Sequence, residues 1–140
     1  MTYFCELEPN GDGGYLVTFP DVPEALTEGA TRAEALANAA DALEVALLGR
    51  MKDGEDLPPA GAGPEDGVPV YVSAQAAAKL AFYAAFHQSG LSRSALARRL
   101  GKDEAEIRRM LDPYHATKLP ALDEAVHALG QRLVLAVKPA

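Results

Sequence analysis

The stretch GGYLVTFPDVPEALTEGAT, residues 13–31, decides how the N-terminal half folds. Tyr15, Val17 and Phe19 alternate with Leu16 and Thr18, the period-two pattern of a strand with one buried face. Pro20 and Pro23 punctuate the exit from that strand, and EALTEGA (24–30) gives a short third extended segment. Upstream, TYFCELEP (2–9) is a second β-rich run. The turn residues NGDGG (10–14) join it to Tyr15, so the two runs read as a hairpin. Downstream, Thr31 and Glu34 form a capping box, in which the threonine side chain accepts from an early backbone N–H and the glutamate reaches back. Leu36, Ala40, Leu43 and Leu47 then recur at helical spacing. They predict a helix ending near Lys52 to Gly54 whose apolar stripe covers one face of the sheet.

The charge divides the chain in two. The net charge of the 140 residues is −7, yet residues 1–67 hold 3 Lys/Arg against 14 Asp/Glu, while residues 68–140 hold 10 against 6. The change coincides with GEDLPPAGAGPEDG (54–67), a Gly-, Pro- and acid-rich stretch without periodicity. The expected organisation is therefore a first domain over 1–60, a linker over 61–67 and a second domain over 68–140. An acidic half suits a basic protein partner and a basic half suits a polyanion. The composition, 49% hydrophobic and 24% charged, is globular. No apolar run reaches the roughly 18 residues of a membrane span, and the N-terminus lacks the basic flank and apolar core of a secretory signal. Cys5, the single cysteine, lies inside a strand as a small hydrophobe. The expectation is a cytoplasmic protein without disulfide or membrane association.

In the second half VPVYVS (68–73) reads as a strand and AQAAAKLAFYAAFHQSG (74–90) as an alanine-rich helix closed by Gly90. SRSALARRLG (92–101) and DEAEIRRMLDP (103–113) are two short helices. PALDEAVHALG (120–130) is a third, with proline near its start and glycine past its end. RLVLAVKPA (132–140) predicts a final β-strand, apolar without alternation, pairing with VPVYV within the chain or across a dimer. The two short helices have the features of a helix-turn-helix: small Ala97 where the helices cross, Gly101 at the turn, and Leu96, Leu100, Ile107 and Met110 to seat both on a core. Lys102 departs from the pattern by standing where an apolar residue is usual. If the second helix enters a major groove, Arg108 and Arg109 are base or phosphate candidates. Arg93, Arg98, Arg99, Lys102 and Lys118 are candidate phosphate contacts, Ser94 is a further DNA contact, and Glu104 is a carboxylate able to accept from a cytosine amino group. Asp103 with Glu106 repeats the capping-box spacing.

Gly14-Tyr15, Val17, Phe19-Pro20-Asp21, Pro23, Thr27, Gly29, Thr31 and Glu34-Ala35, with Pro58-Pro59 after the helix, resemble the N-terminal domain of HicB-family antitoxins. The second half resembles the helix-turn-helix version of that family, so nearly the whole chain is covered. Glu24-Ala25 departs from it, since the family favours a glycine and a small residue there. The resemblance implies an α+β protein: a degenerate ribonuclease H-like β-β-β-α domain followed by a helix-turn-helix domain. It implies a small, basic, HicA-like mRNA-cleaving toxin as partner, bound with its active site covered, and Tyr15, Phe19, Pro20, Asp21 and Glu24 are the residues expected to meet it. It further implies a C-terminal domain that forms a homodimer or higher homo-oligomer and binds operator DNA of its own operon.

The residues that catalysis would need are missing. Ribonuclease H-type chemistry requires clustered carboxylates around divalent metal, and the strand-borne acids are few: Glu6 and Glu8 on one face, and Asp21 after the second strand. Paired glutamates on an edge strand are better explained as solvated charge that discourages edge pairing. His87, His115 and His127 lack metal-ligand spacing. Ser73, Ser89, Ser92 and Ser94 sit at helix ends, where capping explains them. No catalytic residue, metal or cofactor is expected. The alternative function is a stand-alone transcriptional regulator whose acidic domain binds another protein.

Overall fold

Strand β1 (Thr2–Pro9) organises the first half of the protein in the computed structural model, which describes residues 1–140. Its two ends pair with different strands. Glu6–Pro9 pairs antiparallel with β2 (Tyr15–Thr18), and Thr2–Cys5 pairs antiparallel with β4 (Val68–Tyr71). Strand β3 (Thr27–Gly29) adds antiparallel to β2, which gives the order β3-β2-β1-β4. Alternation places Tyr3, Cys5, Val17 and Val70 on the buried face, as the hairpin pattern required.

Helix α1 (Arg32–Lys52) packs on β2, β3 and β4. Thr31 caps it, its Oγ1 accepting from the Glu34 N–H at 3.1 Å. The buried stripe is Ala35, Ala39, Leu43, Ala46, Leu47 and Met51. This corrects the expected stripe at its N-terminal end, where Leu36 and Ala40 are only half-buried. The reason lies in Gly29, whose backbone presses on the first turn of α1: a Cβ there would stand 2.3 Å from Ala35 N and 2.6 Å from Ala35 Cα. Only a residue as small as Ala35 can face so close an approach. Leu43 and Leu47, farther along, each contribute roughly 1.5–3 kcal/mol by burial.

The structure divides into two units, Met1–Ala77 and Ala78–Ala140. The expected boundary at 61–67 is therefore displaced. Gly61 N–H donates to Thr2 O at 2.7 Å, Phe4 N–H donates to Ala62 O at 2.9 Å, and Tyr3 Oη donates to Pro58 O at 2.7 Å. These bonds fasten the glycine- and proline-rich stretch to β1, and β4 follows it into the same sheet. Composition alone mistook a tethered loop for a linker. β4 pairs with Thr2–Cys5 only, so β1 is flanked on its two sides by different strands along its two halves. Glu6 and Glu8 are exposed on the sheet face opposite α1, in the half of β1 that pairs with β2 alone.

The second unit begins within α2 (Ala74–Ser89) and contains α3 (Arg93–Leu100), α4 (Glu104–Leu111) and α5 (Leu119–Ala128). Ala78, Phe82, Leu96, Ala97, Ile107, Met110, Leu122, Ala125 and Val126 form its core, with Leu100 and Leu133 packed against it. The helices fall where their caps and periodicity placed them. The expected final strand does not form: residues 131–140 have no regular structure, and Val134, Leu135 and Val137 are exposed. VPVY pairs with β1 at the edge of the sheet and not with this segment of the same chain.

Candidate functional site

Two surfaces carry the residues singled out above, one in each unit. In the first, β2 ends in a turn in which Val22 N–H donates to Phe19 O and Ala25 N–H to Val22 O, each at 3.0 Å. Phe19 is buried and holds this turn from below, so its side chain offers no surface. Tyr15 is half-buried, while Pro20, Asp21 and Glu24 are exposed. Arg50, in the last turn of α1, grips the turn: its Nε donates to Glu24 Oε2 at 2.7 Å, and its Nη2 donates to Glu24 Oε1 at 2.8 Å and to Asp21 O at 3.2 Å. Hydrogen bonding to the guanidinium holds the Glu24 carboxyl below its ordinary value. The departure at Glu24-Ala25 thus has a local structural role, with Glu24 in a two-pronged ion pair and Ala25 fully buried. Exposed as it is, the pair is worth at most about 1 kcal/mol. Sequence reasoning missed Arg50. The sign was available: it is one of only three cations among the first 77 residues.

In the second unit Ser92 caps α3, its Oγ accepting from Ala95 N–H at 3.1 Å, and Asp103 caps α4, its Oδ1 accepting from Glu106 N–H at 2.8 Å. Between the helices Gly101 takes a left-handed φ of 65°, and its N–H and that of Lys102 return to carbonyls of α3. A glycine is needed there because a Cβ disfavours that conformation. Arg93, Glu104, Arg108, Arg109 and Lys118 are exposed, and Ser94 is half-buried with its Oγ 3.2 Å from Ser92 Oγ. Lys102 is half-buried and its Nζ donates to Glu106 Oε1 at 3.3 Å. The Glu106 carboxylate is thus engaged one turn back along α4.

Lys79 is the residue that sequence reasoning overlooked. It is the only charged residue between Ala74 and Phe86, and it is buried at 2% exposure. Its Nζ donates to Thr117 Oγ1 at 2.6 Å, His115 O at 2.8 Å and Arg109 O at 3.3 Å. One ammonium therefore fastens the C-terminal carbonyls of α4 to the 112–117 turn, directly beneath the backbone of Arg109. Burial pushes its pKa down to about 8 from 10.5, partly opposed by Asp112. Between those pH values the unfolded chain binds a proton that the folded chain has shed, so stability rises with pH through that window and is least below about pH 8. The difference in urea midpoint between wild type and Lys79→Met should accordingly grow from pH 8 to pH 10. A difference constant over that range would mean Lys79 titrates normally. At pH 7 the same substitution should cost about 2–4 kcal/mol, because three acceptors lose their donor.

No group of three or more His, Cys, Asp or Glu side chains is placed to hold a metal ion. Burial raises the Cys5 thiol above its ordinary value, which keeps it protonated and unreactive. No helix is long and apolar enough to cross a membrane.

The chain is α+β, a four-stranded antiparallel sheet with five helices, and its first unit is acidic. Residues 2–81 match the family described as HicB-like antitoxin of bacterial toxin–antitoxin systems. Antitoxin HicB 1 of Photorhabdus laumondii is 41% identical, across 99% of this chain and 88% of that protein. Antitoxin HicB of Escherichia coli K12 is 42% identical, across 96% of this chain and 98% of its own length. Antitoxin HicB of Pseudomonas fluorescens is 33% identical, across 91% and 88%. The chain belongs to the HicB-like antitoxin family.

Proposed function

We propose that this chain binds and blocks a small, basic, HicA-like mRNA-cleaving toxin through its first unit, and represses its own operon through α3 and α4 of the second. The protein acts by binding and needs no cofactor, and its setting is the cytoplasm, where both the toxin and the operator would be met. The first unit is then a degenerate ribonuclease H-like platform without the catalytic carboxylates, and α3–turn–α4 a helix-turn-helix. The observation that carries this is the division of charge along the structural boundary: 3 Lys/Arg against 14 Asp/Glu in residues 1–77, and 10 against 6 in residues 78–140. An acidic platform attracts a basic protein and raises its association rate. A basic helix pair gains affinity for DNA by releasing condensed counterions.

In this reading Tyr15, Pro20, Asp21 and Glu24 border the toxin-binding surface. Arg108 and Arg109 project from the recognition helix, with Arg93, Ser94, Lys102, Glu104 and Lys118 around it. The protein acts as a homodimer, for which the apolar tail offers a contact: Val134, Leu135 and Val137 are 75%, 60% and 101% exposed in the single chain. Growth measurements test the toxin half directly. Expressing the adjoining short reading frame alone should arrest growth, and co-expressing this chain should restore it. Arrest that persists despite soluble antitoxin would contradict the proposal.

A further inference from the structure

The outward side of α1 carries a second stripe unrelated to its core stripe. Asn38, Asp41, Ala42 and Val45 recur at i, i+3, i+4 and i+7, so they share one face of the helix. With Glu24, Thr27 and Ala46 they line an open groove of about 540 Å³, apolar along its floor and carboxylate-bearing at Glu24 and Asp41. Val45 is 72% exposed, and Leu26, next to Thr27, is 60% exposed. An exposed valine within a helix gives up helix propensity relative to alanine and gains no burial in return. Within one chain, nothing compensates for that residue choice. The Glu24–Arg50 pair fixes one wall, because it ties the turn after β2 to the end of α1.

We propose that this groove on α1, and not the open face of the sheet, is where the toxin docks, with an apolar side chain flanked by lysine or arginine seated against Val45 and Ala42 between Glu24 and Asp41. The proposal rests on the toxin-binding reading above and assigns the surface that reading leaves open. Charge complementarity selects the occupant: with 14 acids and 3 bases in residues 1–77, the groove lies in a strongly negative field that repels another copy of the same unit and attracts a basic protein. The opposite face of the sheet also carries acids, Glu6, Glu8 and Glu28, beside Phe4, Leu16 and Tyr71, but Phe4 and Leu16 are half-buried and Tyr71 is 47% exposed. The groove differs in the greater exposure of its aliphatic side chains, Val45 at 72% and neighbouring Leu26 at 60%, beside carboxylates, the combination that a buried anchor with a charged rim requires.

Titration calorimetry with the purified product of the adjoining reading frame tests the assignment on three full-length proteins: wild type, Asp41→Arg/Val45→Arg, and Glu8→Lys/Glu28→Lys. All four positions are exposed, and circular dichroism verifies that each variant is folded. The helix variant should bind at least about 100-fold more weakly and the sheet variant within about threefold of wild type. Tight binding to wild type that survives in the helix variant overturns the groove while leaving the toxin reading intact. A helix variant that keeps its toxin affinity but changes its own oligomeric state overturns it in favour of a second copy as occupant. Wild type that does not bind at all removes the toxin reading and the groove assignment together.

Discussion

Replacing both Arg108 and Arg109 with alanine should reduce promoter binding at least about 100-fold while leaving toxin binding unchanged. Both side chains are exposed in the last turn of α4, whose position is set by Ile107 and Met110 in the core and by Lys79 beneath Arg109. Their removal therefore takes away contact and charge without disturbing the scaffold. A bidentate arginine–base contact is worth about 1–3 kcal/mol of discrimination, and a phosphate contact lowers the salt slope by about 1 when lost. The two roles are separable by electrophoretic or fluorescence titration at several salt concentrations. Loss confined to the cognate sequence marks base contacts. A uniform loss with a slope reduced by about 2 marks phosphate contacts. A double variant that shifts its promoter like wild type would show that α4 is not the element in the groove.

Gly29→Ala should unfold the first unit or destabilise it by about 3 kcal/mol or more, with toxin binding lost and promoter binding kept. A methyl there meets backbone, Ala35 N at 2.3 Å and Ala35 Cα at 2.6 Å, so no side-chain rotation relieves it and β3 must part from α1. Gly49 is the control: it lies in α1 with nothing within 4 Å of an added Cβ. Gly49→Ala should leave binding intact and raise stability by roughly 0.5–1 kcal/mol, because alanine is the better helix former. Chemical denaturation of the two variants checks both. Wild-type stability in Gly29→Ala would mean that the packing of β3 on α1 is looser than the geometry states.

The elements legible in the sequence were those whose formation is local. Thr31, Ser92, Asp103, Gly90, Gly101 and Gly130 mark helix ends by side-chain capping or by a conformation glycine tolerates, and the helices lie between them. The hairpin followed from strict alternation. What was not legible depended on partners distant in the chain. The pairing of β4 with β1 accompanies the fastening of the 54–67 loop to β1 through Thr2 O, Tyr3 Oη and the Phe4 N–H, which composition cannot show. The apolar run 132–140 satisfied every local criterion for a strand yet has no regular structure in the single chain. At the sites the same division holds. The exposed arginines of α4 could be read from sequence as charges beside a seating pattern. Arg50 and Lys79 stood out only as isolated cations, because their partners are acceptors 26 to 38 residues away. The interior stripe of α1 was misplaced by one residue because the close approach of Gly29 outweighs the preference for burying Leu36.

The claim beneath these predictions is that the acidic unit exists to hold a basic toxin. Gel filtration with light scattering tests it most directly, on this chain alone, on the product of the adjoining reading frame alone, and on the two mixed. Mixing should produce one peak whose mass contains both proteins, shifted from either component. Two unshifted peaks at micromolar concentration would contradict it.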